Sequence, residues 1–104
     1  SITEAVTRIR QHCDLAIETE ASNLEEVKEC VELGVNRILL DNMSNELMQK
    51  ALELIPPEIK TEASGNMTLS RVKSVAALGV DFISVGSLTH SANCADVSLL
   101  FDWN

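Results

Sequence analysis

Thr61-Glu-Ala-Ser-Gly-Asn-Met-Thr68 decides how this chain is read. It joins a short β-type run, 59–63, to a helical pattern over 69–78. A strand that turns into a helix through Ser64-Gly65-Asn66 frees several backbone N–H groups where the helix dipole points its positive end, a setting suited to an anion. Capping alone accounts for most turns of this kind. The next strand, 81–86, ends in a further glycine, Gly86, and runs into Ser87-Leu-Thr-His-Ser91. Two consecutive strand ends with small residues and free N–H groups describe the phosphate cup of a β/α barrel.

The rest of the chain reads as the framework of that cup. Ile2, Val6 and Ile9 follow a helical period, giving an amphipathic helix over 2–12 with Arg8 and Arg10 outside. A strand over 15–19 follows. Asn23-Leu-Glu-Glu26 fits a capping box, with Glu26 reaching back, and this helix stops at Gly34. The spacing then predicts a strand over 37–40, a Ser44-capped helix burying Leu47, Met48, Ala51, Leu52 and Ile55, and a stop at Pro56-Pro57. Strand 59–63, a Thr68-capped helix ending at Gly79, strand 82–85 and a helix over 95–101 complete the order.

A repeat is visible in the letters. Thr19-Glu-Ala-Ser-Asn23 returns as Thr61-Glu-Ala-Ser-Gly65, and Leu33-Gly-Val-Asn36 returns as Leu78-Gly-Val-Asp81. The unit is a (βα)2 pair used twice. Right-handed crossovers then place four parallel strands side by side, which is half of a TIM-like β/α barrel spanning residues 1–104.

Strand parity assigns the faces. Glu18 and Glu20, Arg37, Leu39 and Asp41, Lys60, Glu62 and Ser64, and Ser84 share one side of the sheet. Leu15, Ile17, Ile38, Leu40, Ile59, Ile83 and Val85 form the apolar side that helices cover. The polar side faces a barrel interior, where charges need partners. Glu18 and Glu62 against Arg37 and Lys60 supply them.

Composition narrows the function classes. The chain has 104 residues, 45% hydrophobic, with two Phe, one Trp and no Tyr, an aliphatic make-up typical of helix-covered parallel sheets. A formal net charge of −8 argues against a nucleic-acid partner. No apolar run has the length of a membrane span. Cys13, Cys30 and Cys94 share no metal-binding spacing and read as reduced thiols of a cytoplasmic protein. His12 is expected at the surface.

Leu40-Asp-Asn-Met43, Glu62-Ala-Ser-Gly65 and Val85-Gly-Ser-Leu-Thr-His-Ser91, preceded by Glu18-Thr-Glu20, resemble the C-terminal barrel of the quinolinate phosphoribosyltransferase family. The resemblance covers essentially the whole chain, with four motifs in order. It implies transfer of the phosphoribosyl group of PRPP to quinolinate, with loss of carbon dioxide and pyrophosphate, giving nicotinate mononucleotide for NAD synthesis. It also implies Mg²⁺ and a homodimer or larger homo-oligomer.

Carried onto this sequence, the resemblance makes Glu20 and Asp41 the acidic pair facing the ribose hydroxyls and the metal. Carboxylates suit hard Mg²⁺, and they suit the oxocarbenium character that develops at the anomeric carbon. Without the resemblance, Glu20 reads as a solvated strand-end residue and Asp41 as a helix cap. Ser64, Gly65 and Asn66 match the loop for the 5′-phosphate, and Gly86 and Ser87 its second wall. The common pattern has glycine where Asn66 stands, although Asn tolerates left-handed backbone better than other residues with a side chain. His90 matches a family histidine near the phosphate.

The family's quinolinate-binding arginines and its lysines would lie before Ser1, together with an N-terminal domain and the first half of the barrel. The chain would then hold the ribose-phosphate half of the site, inactive alone. An unpaired sheet edge would need cover from the rest of the enzyme or a second copy. Three alternatives remain: a related phosphoribosyltransferase with another substrate, a non-catalytic half-barrel, and a generic phosphate-binding half-barrel of another pathway.

Overall fold

The computed structural model describes residues 2–12, 16–65, 67–85 and 88–91. In chain order the elements are α1 (Ile2–His12), β1 (Glu18–Ala21), α2 (Leu24–Leu33), β2 (Arg37–Asp41), α3 (Asn45–Leu54), β3 (Lys60–Ser64), α4 (Leu69–Leu78), β4 (Phe82–Val85) and β5 (Leu88–Ser91). They build one sheet of order β1-β2-β3-β4-β5. The first four strands run parallel, as expected for half of a β/α barrel. The helix expected over 95–101 lies outside the described residues.

Two boundaries differ from expectation. The first strand begins at Glu18 rather than at residue 15, because its partner β2 starts only at Arg37, after the turn at Gly34 and Asn36. The Ile17 carbonyl takes the N–H groups of both Asn36 and Arg37, so the ladder has no rung further back. No element was assigned to the run 88–91, yet it pairs antiparallel with β4, Val85 opposite Leu88 and Phe82 opposite Ser91. Leu-Thr-His-Ser is too short and too polar to carry an alternation signal. The β4 edge is therefore occupied by the chain itself, and β1 forms the other edge of the sheet.

Local chemistry fixes the helices. Asn23, Ser44 and Thr68 each cap a helix by accepting from the N–H three residues on. Glu26 also reaches back, but to the Ser22 N–H at 2.8 Å rather than to the cap residue. Gly34 and Gly79 end α2 and α4 in left-handed backbone, φ 64 and 102.

The repeat has a structural purpose. Asn36 Oδ1 accepts from the Ile17 N–H at 2.7 Å. Its counterpart Asp81 accepts through Oδ2 from the Thr61 N–H at 2.8 Å and from the Thr61 hydroxyl at 3.1 Å. In each half, the polar residue after Leu-Gly-Val bonds the start of the neighbouring strand.

The faces follow the parity. Ile17, Ala21, Ile38, Leu40, Ile59, Ala63 and Ile83 are buried against Val27, Cys30, Met48, Ala51, Val72 and Val75 of the helices. A one-residue slip of β2 would move Ile38 and Leu40 onto the charged face and forfeit about 2 kcal/mol for each. Cys30 lies wholly inside, 3.0 Å from the Thr19 hydroxyl, and burial pushes its thiol pKa up, as suits an inert core residue. Cys13 and Cys94 lie outside the described residues. No helix among those described is long and apolar enough to cross a membrane.

Candidate active site

The C-terminal ends of β1, β2 and β3 bring Glu20, Asp41 and Ser64 to one face. Asp41 is the register partner of Ser64, and Glu20 that of Leu39. Strand spacing and rise set the Glu20 and Asp41 Cα atoms roughly 8 Å apart, within reach of one sugar or one ion. Glu20 is exposed and Asp41 half-buried. Neither carboxylate has a hydrogen bond or an ion pair among the described residues, so both have free lone pairs.

Beside them the backbone makes a tight corner. The Asn42 N–H donates to the Ser64 carbonyl at 2.9 Å. Asn42 has φ 53, and Gly65 has φ 126. Gly65 follows β3 directly and lies open to solvent, while the helix beyond it begins only after the Thr68 cap. Of the other expected phosphate residues, Asn66, Gly86 and Ser87 lie outside the described residues. His90 falls on β5 opposite Ile83, with its side chain outside the description.

Below the rim sits an ionic network. Arg37 donates to Glu62, places Nε 3.3 Å from Glu18 Oε1, and stacks its guanidinium 4.0 Å from the Phe82 ring centroid. Ser84 donates to the second Glu62 oxygen. Burial alone would raise the Glu62 pKa, but the Ser84 hydrogen bond and the Arg37 charge outweigh it and hold the carboxyl below its ordinary value. Glu18 moves the other way, raised by burial and then by the Glu62 charge. The expected two-against-two pairing is therefore corrected. Lys60 is exposed and joins no ion pair among the described residues, because Arg37 in the next strand reaches both acids; Ser84 takes the fourth place.

Sequence reasoning missed Asn42, whose left-handed turn no glycine announces, and Arg71. Arg71, near the start of α4, donates to the Met43 carbonyl and, at 3.4 Å, to Asn45 Oδ1. A helical Arg in a polar run gives no sign of such a reach.

Fold and rim together define a β/α-barrel segment that presents paired acids and a glycine turn at its strand ends. The family model for quinolinate phosphoribosyl transferase, C-terminal domain, matches residues 1–100, and the chain belongs to that family. It is 45% identical over 104 residues to a probable nicotinate-nucleotide pyrophosphorylase (carboxylating) of Synechocystis sp., covering 95% of this chain and 35% of that protein. A chloroplastic nicotinate-nucleotide pyrophosphorylase (carboxylating) of Arabidopsis thaliana is 40% identical over 108 residues, covering 89% of this chain and 31% of that one. Among solved structures, the nicotinate-nucleotide pyrophosphorylase of Ehrlichia chaffeensis superposes with a TM-score of 0.81 at 34% identity, over 88% of this chain and 35% of the other. The chain spans about a third of the length of these relatives.

Proposed function

We propose that this chain supplies the ribose-phosphate and Mg²⁺ half of an active site that transfers the phosphoribosyl group of PRPP to quinolinate. Carbon dioxide and pyrophosphate are lost, and nicotinate mononucleotide is formed for NAD biosynthesis. The observation that carries the reading is the pair Glu20 and Asp41, on adjacent strand ends with no partner among the described residues, beside the Gly65 turn. The names of the relatives support the reaction.

As the quinolinate nitrogen approaches the anomeric carbon and pyrophosphate departs, positive charge builds on the ribose ring. Glu20 and Asp41 accept hydrogen bonds from the ribose hydroxyls and oppose that charge, an interaction strongest in the transition state. We assign the 5′-phosphate to Ser64 and Gly65, and, from the family resemblance, to Asn66, Gly86, Ser87 and His90. Mg²⁺ would be held by Glu20 and Asp41 and would offset the charge of the pyrophosphate group. The donors fit, since both are hard oxygens with free lone pairs. Among the described residues no group of three or more His, Cys, Asp or Glu could hold a metal, so water and phosphate oxygens would complete the shell, as Mg²⁺ prefers.

The two quinolinate carboxylates need cations that this chain, at −8, does not place at the rim among its described residues. Arg37 is committed to Glu62 and Glu18. Those cations come from the rest of the enzyme or from a second subunit, which accords with a homodimer or larger homo-oligomer acting in the cytoplasm. The intact protein, given PRPP, quinolinate and Mg²⁺, is expected to release nicotinate mononucleotide, pyrophosphate and carbon dioxide, while residues 1–104 alone release none. No product from the folded intact protein contradicts the reading.

A further inference from the structure

We infer that Arg71 is a positioning residue that clamps the turn after β2 and so keeps Asp41 in place beside the Ser64-Gly65 turn; its catalytic consequence rests on the function proposed above. The turn is under opposed constraints. Asn42 sits in left-handed backbone, φ 53, which Asn tolerates but does not favour. On one side its N–H is tied to the Ser64 carbonyl at 2.9 Å. On the other side the next residue, Met43, has its side chain in the core, 1% exposed, and its carbonyl accepts from Arg71.

Arg71 is itself held. Its Nε lies 3.4 Å from Asn45 Oδ1; Asn45 Nδ2 donates to the Ser74 hydroxyl at 2.8 Å, and that hydroxyl donates to the Arg71 carbonyl at 2.9 Å. The fork thus grips the start of α3 and the loop before it from the first turns of α4. Removing it leaves Met43 O without its charged donor and lets Asn42 relax. Asp41, one residue away, then loses its fixed distance to the Gly65 turn. A lysine at this position reaches one acceptor but cannot span both as the planar fork does.

The test uses Arg71→Met and Arg71→Lys in the intact protein, with amide exchange at Asn42 read against Ile38 and Leu40. Arg71→Met is expected to speed Asn42 exchange about tenfold, the weight of one charge-assisted hydrogen bond, with the strand amides unchanged. Arg71→Lys, which keeps the charge and stem should the Met variant fail to fold, gives a smaller effect of the same kind. In turnover, KM for PRPP rises about tenfold while KM for quinolinate stays, because only the ribose-phosphate side moves. A merely structural role would speed all three amides together and lower the active fraction without moving KM. Unchanged or uniformly faster exchange overturns the clamp, and so does local loosening with an unchanged KM for PRPP in an active enzyme. If the unsubstituted protein turns nothing over, the proposed function fails, and exchange at Asn42 still decides whether Arg71 clamps the turn.

Discussion

A Cβ placed on Gly65 would stand 3.1 Å from the Asn42 Cα and 3.3 Å from its backbone N. The ends of β2 and β3 therefore meet backbone against backbone, and a Cβ at position 65 fits only if the Asn42 backbone yields by a few tenths of an ångström. The φ of 126 is also one that L-residues rarely adopt. Gly65→Ala is expected to cost about 1–3 kcal/mol and to weaken PRPP binding in the intact protein. Thermal denaturation checks the first part, and an unchanged midpoint would show that the corner is looser than described.

Arg37 links β1, β3 and the Phe82 ring of β4 from its place on β2. Its side chain is 30% exposed and that of Glu62 only 9%, so the pair lies between the surface and the buried limits. Arg37→Met is expected to destabilise by about 1–3 kcal/mol, mainly by stranding Glu62. Combining it with Glu62→Gln should recover part of that loss. Strictly additive losses in chemical denaturation would refute the coupling.

The same network sets a pH dependence. Glu62 titrates below its ordinary value of 4.5, so its contribution is complete above that value and is lost as pH falls through the depressed one. The stability gap between the unsubstituted protein and Glu62→Gln is expected to narrow as pH drops below the ordinary glutamate range. Glu18 titrates above 4.5, so its contribution is complete in acid and lost as pH rises through the raised value. Glu18→Gln should then lose no stability at neutral pH. Denaturation midpoints across that range decide both, and a gap for Glu62 that is constant with pH contradicts the assignment.

Asp81 satisfies the N–H and the hydroxyl of Thr61, a residue only 4% exposed. Asp81→Ala leaves that N–H without its partner and is expected to cost about 1–3 kcal/mol. Asn36→Ala, its counterpart in the first half, should lose a comparable amount at Ile17. If either substitution proves neutral in a denaturant titration, the repeat has no structural role at that position.

The sheet was legible chiefly through β2, whose burial alternates along its length, whereas Thr61, Glu62 and Ala63 of β3 are buried in succession. Ile38 and Leu40 against Arg37, Leu39 and Asp41 fix the side of every neighbour through the register. Capping side chains and glycines marked the helix ends for the same local reason. What escaped were contacts made across the chain. Arg71 reaches the Met43 carbonyl from α4, and β5 exists because β4 offers it an edge. Lys60 looked equivalent to Arg37 by sign alone, and only the geometry separates a fork that reaches two carboxylates from an ammonium that stays in water. At the rim the residue types were readable and their freedom from partners was not, because that depends on every neighbour at once.

Equilibrium binding of PRPP to the intact protein, with and without Mg²⁺, in Glu20→Gln and Asp41→Asn tests the role of the rim most directly. Both variants keep shape and volume and remove one negative charge from a side chain that bonds nothing else described, so folding is expected to be unchanged. The Mg²⁺-dependent gain in PRPP affinity should fall at least about tenfold in each, with turnover falling further because the same carboxylates oppose charge in the transition state. Undiminished Mg²⁺-dependent binding and undiminished turnover in both variants would contradict the assignment of the ribose and metal site to these strand ends.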